Sequence, residues 1–522
     1  MKRYQGILLL MLVLVYLFGL NPYLLPEVYD NVVYLSGARS LAEGKGYRFE
    51  DAAVLDWPPG LSLLIALPMV LGLDGIHAVK VFLLLFVGLA LFLICRHLER
   101  DRYPIPTFIM CLCALSPVAF KCGTTILAEW VFMTVSFLFL FMLDRMDRHS
   151  RPFRPALLAG ILFGVAVLTR HIGLLLGAAL IAHVLDRRCG RRPRLHRIRP
   201  VVLVALVGFL VLMPWMNILV QESVHAGASP RYVSEFVMNV EWQLGMTGRD
   251  MEGESAAPAF WLLARHSENF MTVLQCIGDL FFCSLALMRR FGWLDTWMYW
   301  IFLVPGLMAV AGLFMRLSST FRRPADWYVL STLIFFVISG WVRPRYLVPI
   351  SPFLAAYFLE VARRMARVVT WRFPGLRRNM VRAAGACWIL TLVAGCGILL
   401  FHGSLNSAHS GLCPLVSPTA SSFYRGYWGE AVRAASIIRQ DPGAGAVAAA
   451  PSIRKYVHFF TGRRCVDDPR EAGVDYFVCH DGKESRVEAE LGIHLDPVFQ
   501  GRWVSLYRTG PSPLGHQVQG VD

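Results

Sequence analysis

Long apolar runs separated by short polar turns dominate the chain and set its architecture before any single residue is considered. A run of about 20 apolar residues crosses the hydrocarbon core of a bilayer. By that measure spans begin at Gly6 and near Ala78, Pro104, Leu127, Ala156, Ile172, Val201, Leu294, Trp327, Tyr346 and Ala383, eleven in all. The first follows Met1-Lys-Arg3 and ends at Leu20 with no small-x-small cleavage site behind it, which predicts a retained helix rather than a cleaved leader. Two more apolar segments break the parity: Leu61 to Leu73, after a Pro-Pro pair, and Phe260 to Leu287, interrupted by His266, Glu268 and Asp279. They are read as helices lying in the outer interface; taken as a pair of ordinary spans they leave the end-to-end orientation unchanged.

The pattern changes at His402. A helical period near Gly429 to Arg439 is followed by strand-like runs at Ala444 to Ala450, Val474 to Cys479 and Val498 to Tyr507. The expected fold is therefore an all-α polytopic membrane bundle of about 11 transmembrane helices plus interfacial helices, with a small C-terminal extracytoplasmic α/β domain. The bundle occupies 1–402, with a first extracytoplasmic loop at 21–77, and the α/β domain 403–522.

Composition agrees: 56% of the 522 residues are hydrophobic, 17% charged, and the mean hydropathy is +0.51. A net charge of +15 raises nucleic acid as a partner, but the arginines stand in short clusters between apolar runs rather than along one polar face, which excludes it. Those clusters, Arg96 to Arg102, Arg145 to Arg154, Arg187 to Arg199, Arg316 to Arg323 and Arg363 to Arg382, mark cytoplasmic loops. The N-terminus then lies in the cytoplasm and the C-terminal domain in the periplasm of a bacterial inner membrane. Most of the twelve cysteines sit in apolar runs, and Cys111-Leu-Cys113 lacks metal-site spacing. Cys465 and Cys479 fall in the extracytoplasmic tail, where a disulfide between them is open.

The chemistry concentrates in the polar stretch from Pro22 to Gly60 and in charges at the outer ends of later spans. Asp30, just past the first helix, is placed to act as general base for an incoming hydroxyl or amine, with Glu27 three residues earlier; the alternative is a helix cap or a solvated loop charge. Lys121 and Glu129 flank one outer turn, Arg170-His171 sits in another, and Arg343-Pro-Arg345-Tyr346 opens a span. Arginines on the outer side run against the positive-inside tendency, and a phosphate, matched by the guanidinium fork, is one reason for them to be there.

These residues carry a resemblance. Glu27-x-x-Asp30-x-x-x-Tyr34, Ala38-x-x-Leu41-x-x-Gly44-x-Gly46-Tyr47 and Pro58-Pro59-Gly60 resemble the opening of the C-type membrane glycosyltransferases, which include protein O-mannosyltransferases and lipid A aminoarabinose transferases. Thr125-Ile-Leu-Ala-Glu129, Leu168-Thr-Arg170-His-Ile-Gly173, Pro214-Trp-Met-Asn217 and Pro344-Arg345-Tyr346-Leu-Val-Pro349 are similar to later motifs of that group. The resemblance implies a sugar taken from a polyprenyl-phosphate carrier and passed, with inversion, to a lipid, glycan or protein acceptor on the outer face. Asp30 would be the base and Glu27 a neighbouring acid, structural or metal-linked. Arg170, Arg345 and Arg343 would hold the lipid phosphate, and Glu129 would line the cavity with Tyr34, Asp56, His171 and Tyr346. Trp57 stands where relatives acting on lipid A carry a Lys before the paired prolines, which leaves Lys121 or Arg48 to supply that contact. Glu27, Asp30 and a distant His could hold a divalent ion or none. A multispanning transporter or lipid flippase is the alternative function; it predicts related halves and broken helices, and the sequence reads as neither.

Overall fold

The computed structural model describes residues 3–20, 24, 29–49, 52–101, 103, 105–148, 152–185, 194–226, 258–281, 298–319, 323–340 and 342–372. In the C-terminal region it describes 430–431, 433–441, 445–449, 457, 461, 463, 465–466, 474–480, 496–500 and 504–508. Two compact units divide the chain. One comprises 1–20, 55–64 and 78–400; the other joins the loop segments 21–54 and 65–77 to 401–522.

The first unit is helical. Its order is α1 (Arg3–Phe18), the start of α3 (Gly60–Val70), α4 (Ile76–Arg100), α5 (Pro106–Leu115), α6 (Pro117–Thr124), α7 (Glu129–Arg148) and α8 (Phe153–Thr169). A 3-10 turn (His171–Leu175) then leads into α9 (Leu176–Leu185) and α10 (Arg194–Ala226). After α11 (Pro258–Phe281) come α12 (Met298–Ser318), α13 (Pro324–Ser339), α14 (Pro344–Leu347), a second 3-10 turn (Val348–Ile350) and α15 (Ser351–Arg372).

Among the described residues two helices are long and apolar enough to cross a membrane, α4 and the Ile198–Gln221 part of α10. The bent pair α5 and α6 makes a third. Six more apolar helices of 10–17 residues, including Phe153–Thr169, His171–Leu185 and Pro324–Ser339, stop short of a full span. Eleven spans were expected; the span predicted from Ala383 lies outside the described residues. The run from Pro104 is broken because Pro117, with no N–H to give, bends α5 against α6 by 66°. At this break the Tyr16 hydroxyl donates to the Ala114 carbonyl at 2.7 Å.

Close helix contacts rest on small residues. On α8, Gly160 and Gly164 lie so near α10 that an added Cβ would meet Val207 at 2.7 Å and Val211 at 2.6 Å, a crossing of the small-xxx-small kind. Asp326, fully buried, ties three helices: it accepts from the Tyr357 hydroxyl of α15 and from the Arg323 backbone N–H, each at 2.6 Å, and lies 3.7 Å from Arg316 of α12.

In the second unit α2 (Tyr29–Ala42) ends where Gly44 and Gly46 take positive φ, and Lys45 N–H returns to the Ser40 carbonyl at 2.9 Å. That is the requirement behind the Gly44-x-Gly46 spacing. A short hairpin of β1 (Arg48–Phe49) and β2 (Ala52–Ala53) follows. The tail forms a mixed sheet of β3 (Ala446–Ala449), β4 (Cys465–Val466), β5 (Val474–His480), β6 (Asp496–Gln500) and β7 (Val504–Arg508). Its order is β4-β3-β5-β7-β6, with β3 parallel to both neighbours and β7 antiparallel to both of its own. The run Val498 to Tyr507, read as one strand, divides into β6 and β7.

The strand order removes the disulfide left open above. Cys465 on β4 and Cys479 on β5 have β3 between them, a separation of two strand spacings or about 10 Å, beyond the reach of a disulfide. Both are buried.

Candidate functional site

Three chain turns at one end of the helical unit bring charge together. α7 starts at Glu129, which is completely buried. Its Oε1 accepts a hydrogen bond from Nη1 of Arg170, while its Oε2 is buried with no hydrogen-bond partner among the described residues. Arg170 is the extended residue (φ −152°, ψ 135°) that stops α8 before the 3-10 turn. Its N–H bonds the Ala166 carbonyl at 2.9 Å and its carbonyl accepts from Gly173 at 2.8 Å, so the backbone is fixed on both sides of the guanidinium.

Two sequence motifs meet behind that turn. A Cβ on Gly60, at the end of Pro58-Pro59-Gly60, would stand 2.6 Å from the Leu168 carbonyl; one on Gly173 would stand 2.7 Å from the Ala166 backbone. Only glycine lets these segments close on the Leu168-Thr-Arg170 turn without moving it.

The third turn follows the C-terminus of α13, where Gly340 at φ 66° closes the helix. It presents Arg345 and Tyr346 in α14. The guanidinium carbons of Arg170 and Arg345 lie 4.9 and 5.0 Å from the centroid of the Tyr346 ring. They are therefore at most about 10 Å apart, a separation that one phosphate and its substituents can bridge. Arg345 Nη2 also donates to the Tyr346 hydroxyl at 3.3 Å, and the ring stacks on Phe336. Lys121, on α6, joins the cluster: its charge, with those of Glu129, Arg345 and Arg170, acts on the buried Cys122 thiol. The His171 ring lies 5.4 Å from that of Trp215 of α10, the two planes tilted by 35°, and the buried Trp215 Nε1 has no hydrogen-bond partner among the described residues.

The structure thus gathers Glu129, Arg170, Arg345, Tyr346 and Lys121, with His171 beside them through the Arg170 turn. Arg343 is the N-terminal cap of α14 and is exposed. Asp56 is half-buried in the same unit, two residues before Pro58. Asp30 and Tyr34 stand one turn apart on α2, in the other unit, Asp30 half-buried in the first turn and Tyr34 buried. Glu27 lies outside the described residues. Among the described residues no group of three or more His, Cys, Asp or Glu is placed to hold a metal ion.

Lys80 is the residue that the sequence reading passed over. It is 2% exposed, in the first turns of α4 and on that helix's buried face. Thr134 Oγ1 of α7 donates to the Phe86 carbonyl of α4 at 3.0 Å, and Arg100 meets Asp144 further along, so the two helices run in parallel. Counted back from the Thr134 contact, Lys80 sits about 9 Å and Glu129 about 7.5 Å toward the same end, a shared level. The signal was present: one ionisable side chain inside an apolar run is a functional candidate by default.

With the geometry in place, comparisons with known proteins bear on what it serves. A crystal structure of ArnT from Cupriavidus metallidurans bound to undecaprenyl phosphate matches over 98% of this chain and 99% of that one, with a TM-score of 0.58 at 15% identity. The apo form of the same protein gives 0.57 at 16% identity, with the same coverage. The fold is that of the C-type glycosyltransferases. The archaeal oligosaccharyltransferase AglB from Archaeoglobus fulgidus, in complex with an inhibitory peptide and a dolichol-phosphate, also matches, over 92% of this chain and 70% of its own, with a TM-score of 0.52 at 14% identity. The sequence profile of dolichyl-phosphate-mannose-protein mannosyltransferases matches residues 56–218, a stretch holding Asp56, Lys80, Lys121, Glu129, Arg170, His171 and Trp215. A search of curated proteins finds no match.

Proposed function

We propose that the chain is a membrane glycosyltransferase that takes a sugar from a polyprenyl-phosphate carrier. The single observation carrying this reading is the pair of guanidinium groups, Arg170 and Arg345, held about 5 Å from one aromatic ring at one end of an apolar helical unit. A lipid-linked phosphate has the charge and the apolar tail that such a place suits, and two proteins of the same fold are described with undecaprenyl phosphate and with dolichol-phosphate. Glu129 fixes Arg170 in position, so the phosphate meets a guanidinium whose direction is already set.

In the reaction proposed, an acceptor oxygen or nitrogen attacks the anomeric carbon from the face opposite the phosphate, giving inversion. The bond from that carbon to the phosphate oxygen breaks with its electron pair on the phosphate, where Arg170 and Arg345 stabilise the charge. Asp30 takes the proton from the acceptor. The products are the glycosylated acceptor and the polyprenyl phosphate. The acceptor sits on the periplasmic side in this reading; lipid, glycan and protein hydroxyls remain its three candidate classes. Lys80, level with Glu129 along the parallel helices, is a further polar group at that depth.

The test uses membranes carrying the protein, incubated with polyprenyl-phosphate sugars labelled in the sugar. Label should pass to an acceptor with the wild type and fall about 10²- to 10⁴-fold with Asp30→Asn at unchanged protein level. Undiminished transfer by the variant removes Asp30 from the reaction, and no transfer from any polyprenyl-phosphate sugar by the wild type removes the reading itself.

A further inference from the structure

One residue of α1 holds the piece of chain that carries Lys121. Tyr16, which has no exposed surface, donates its hydroxyl to the Ala114 carbonyl at 2.7 Å across the break between α5 and α6. The 66° bend ends α5 there and leaves its last carbonyls without a following turn, so the hydroxyl serves a backbone group that the helix no longer serves. Beyond the break α6 starts afresh, with the Phe120 N–H on the Ser116 carbonyl at 2.8 Å, and runs for only 8 residues. So short a helix has little stability of its own, and its direction is set by what it packs against.

On one side of α6 that support is Tyr16. Its ring lies 4.9 Å from that of Phe120 and stands edge-on, at 5.8 Å, to Trp130, the residue after Glu129. A Cβ on Gly123 would run into the Tyr16 ring, and one on Gly19 of the first helix would stand 2.5 Å from the Phe120 ring and 3.1 Å from Thr124. Phe120, Gly123 and Thr124, at helical spacing, therefore make the face turned to α1. Cys122 falls on the opposite face, where the charges of Glu129, Arg170 and Arg345 act on it. α6 also packs against α14, which carries Arg345, and the Trp130 indole N–H ties it to the first turn of α7 by donating to the Ala119 carbonyl at 2.9 Å. The short helix is thus wedged between α1 and the charge cluster, and one hydroxyl secures it at the break.

We propose that Tyr16 is a positioning residue for the donor phosphate: its hydroxyl fixes the break and, through α6, sets where the Lys121 ammonium stands relative to Arg170 and Arg345. This role rests on the reading of the cluster as a polyprenyl-phosphate site. Tyr16 acts on the lipid phosphate only by way of Lys121, so its effect disappears once Lys121 carries no charge.

The experiment uses the full-length protein purified in detergent, with affinity for undecaprenyl phosphate and thermal unfolding measured on the same preparations. Lys121→Met should weaken binding about tenfold, the loss of one charge-assisted contact. Tyr16→Phe keeps the ring against Phe120 and Trp130 and loosens only the break; it should weaken binding about three- to tenfold and raise KM for the donor with kcat little changed. The double variant should bind as Lys121→Met does, because Tyr16 then has no cation to place. Losses that multiply in the double variant overturn the proposal. So does wild-type affinity in either single variant; a lower melting temperature of Tyr16→Phe with the affinity of the folded protein unchanged would leave Tyr16 a packing residue. Gly123→Ala crowds the same ring from α6 and should reproduce the loss; it supplies the comparison should Tyr16→Phe fail to fold, and wild-type affinity there overturns the proposal equally. No binding of undecaprenyl phosphate by the wild type overturns the transferase reading itself, and the role of Tyr16 with it.

Discussion

Arg170 is held by a buried carboxylate on one side and faces an aromatic ring on the other, which leaves its orientation little freedom. Glu129→Gln keeps the size of that anchor and removes its charge. The variant should lose about 1.5–3 kcal/mol of stability in thermal unfolding and hold the donor more weakly, because Arg170 is then free to turn away. Lys80→Met, similar in length and uncharged, should lower transfer without lowering the melting temperature; unchanged transfer would leave Lys80 a packing residue. The residues that interrupt apolar runs at their ends, Glu129, Arg170 and Arg345, were legible in the sequence for that reason. Lys80 was not, because it falls inside a run and the run was read for its length. Trp215 was hidden differently: a tryptophan in a span is ordinary packing until His171 is seen against it.

At the scale of elements, the turns matter more than the helices they join. Gly60→Ala places a methyl 2.6 Å from the Leu168 carbonyl, a backbone atom that cannot yield as a side-chain end can. Overpacking of this kind costs about 1–3 kcal/mol, and here the strain falls on the turn that carries Arg170, so the variant should lose both melting temperature and transfer. Asp326→Ala acts elsewhere. It leaves the Tyr357 hydroxyl without its acceptor and Arg316 without the carboxylate, and should cost about 3–5 kcal/mol in unfolding. The apolar period announced most helices, since a run in lipid has few other ways to satisfy its backbone. What it could not announce was their breaks: the bend at Pro117 and the 3-10 turns after Arg170 and Leu347 depend on local hydrogen bonds that hydropathy does not register. In the tail, alternating residues pointed to strands, but the order that sets β3 between Cys465 and Cys479 is a long-range choice that no strand carries in its own pattern.

For the whole molecule, the sequence motifs fall into two groups. The cations and Glu129 belong to the helical unit, whereas Asp30 and Tyr34 belong to the unit that includes the first loop and the tail. In the reaction proposed, Asp30 is the base and Arg170 with Arg345 the phosphate clamp. Those two halves can be tested separately, and the clamp is the half on which the choice of donor depends. The most direct measurement is the affinity of the purified protein for polyprenyl phosphate, compared with Arg170→Ala and Arg345→Ala. Each variant should bind about tenfold more weakly or worse, with the fold retained. Equal affinity in all three proteins would mean that these guanidinium groups do not hold the lipid phosphate.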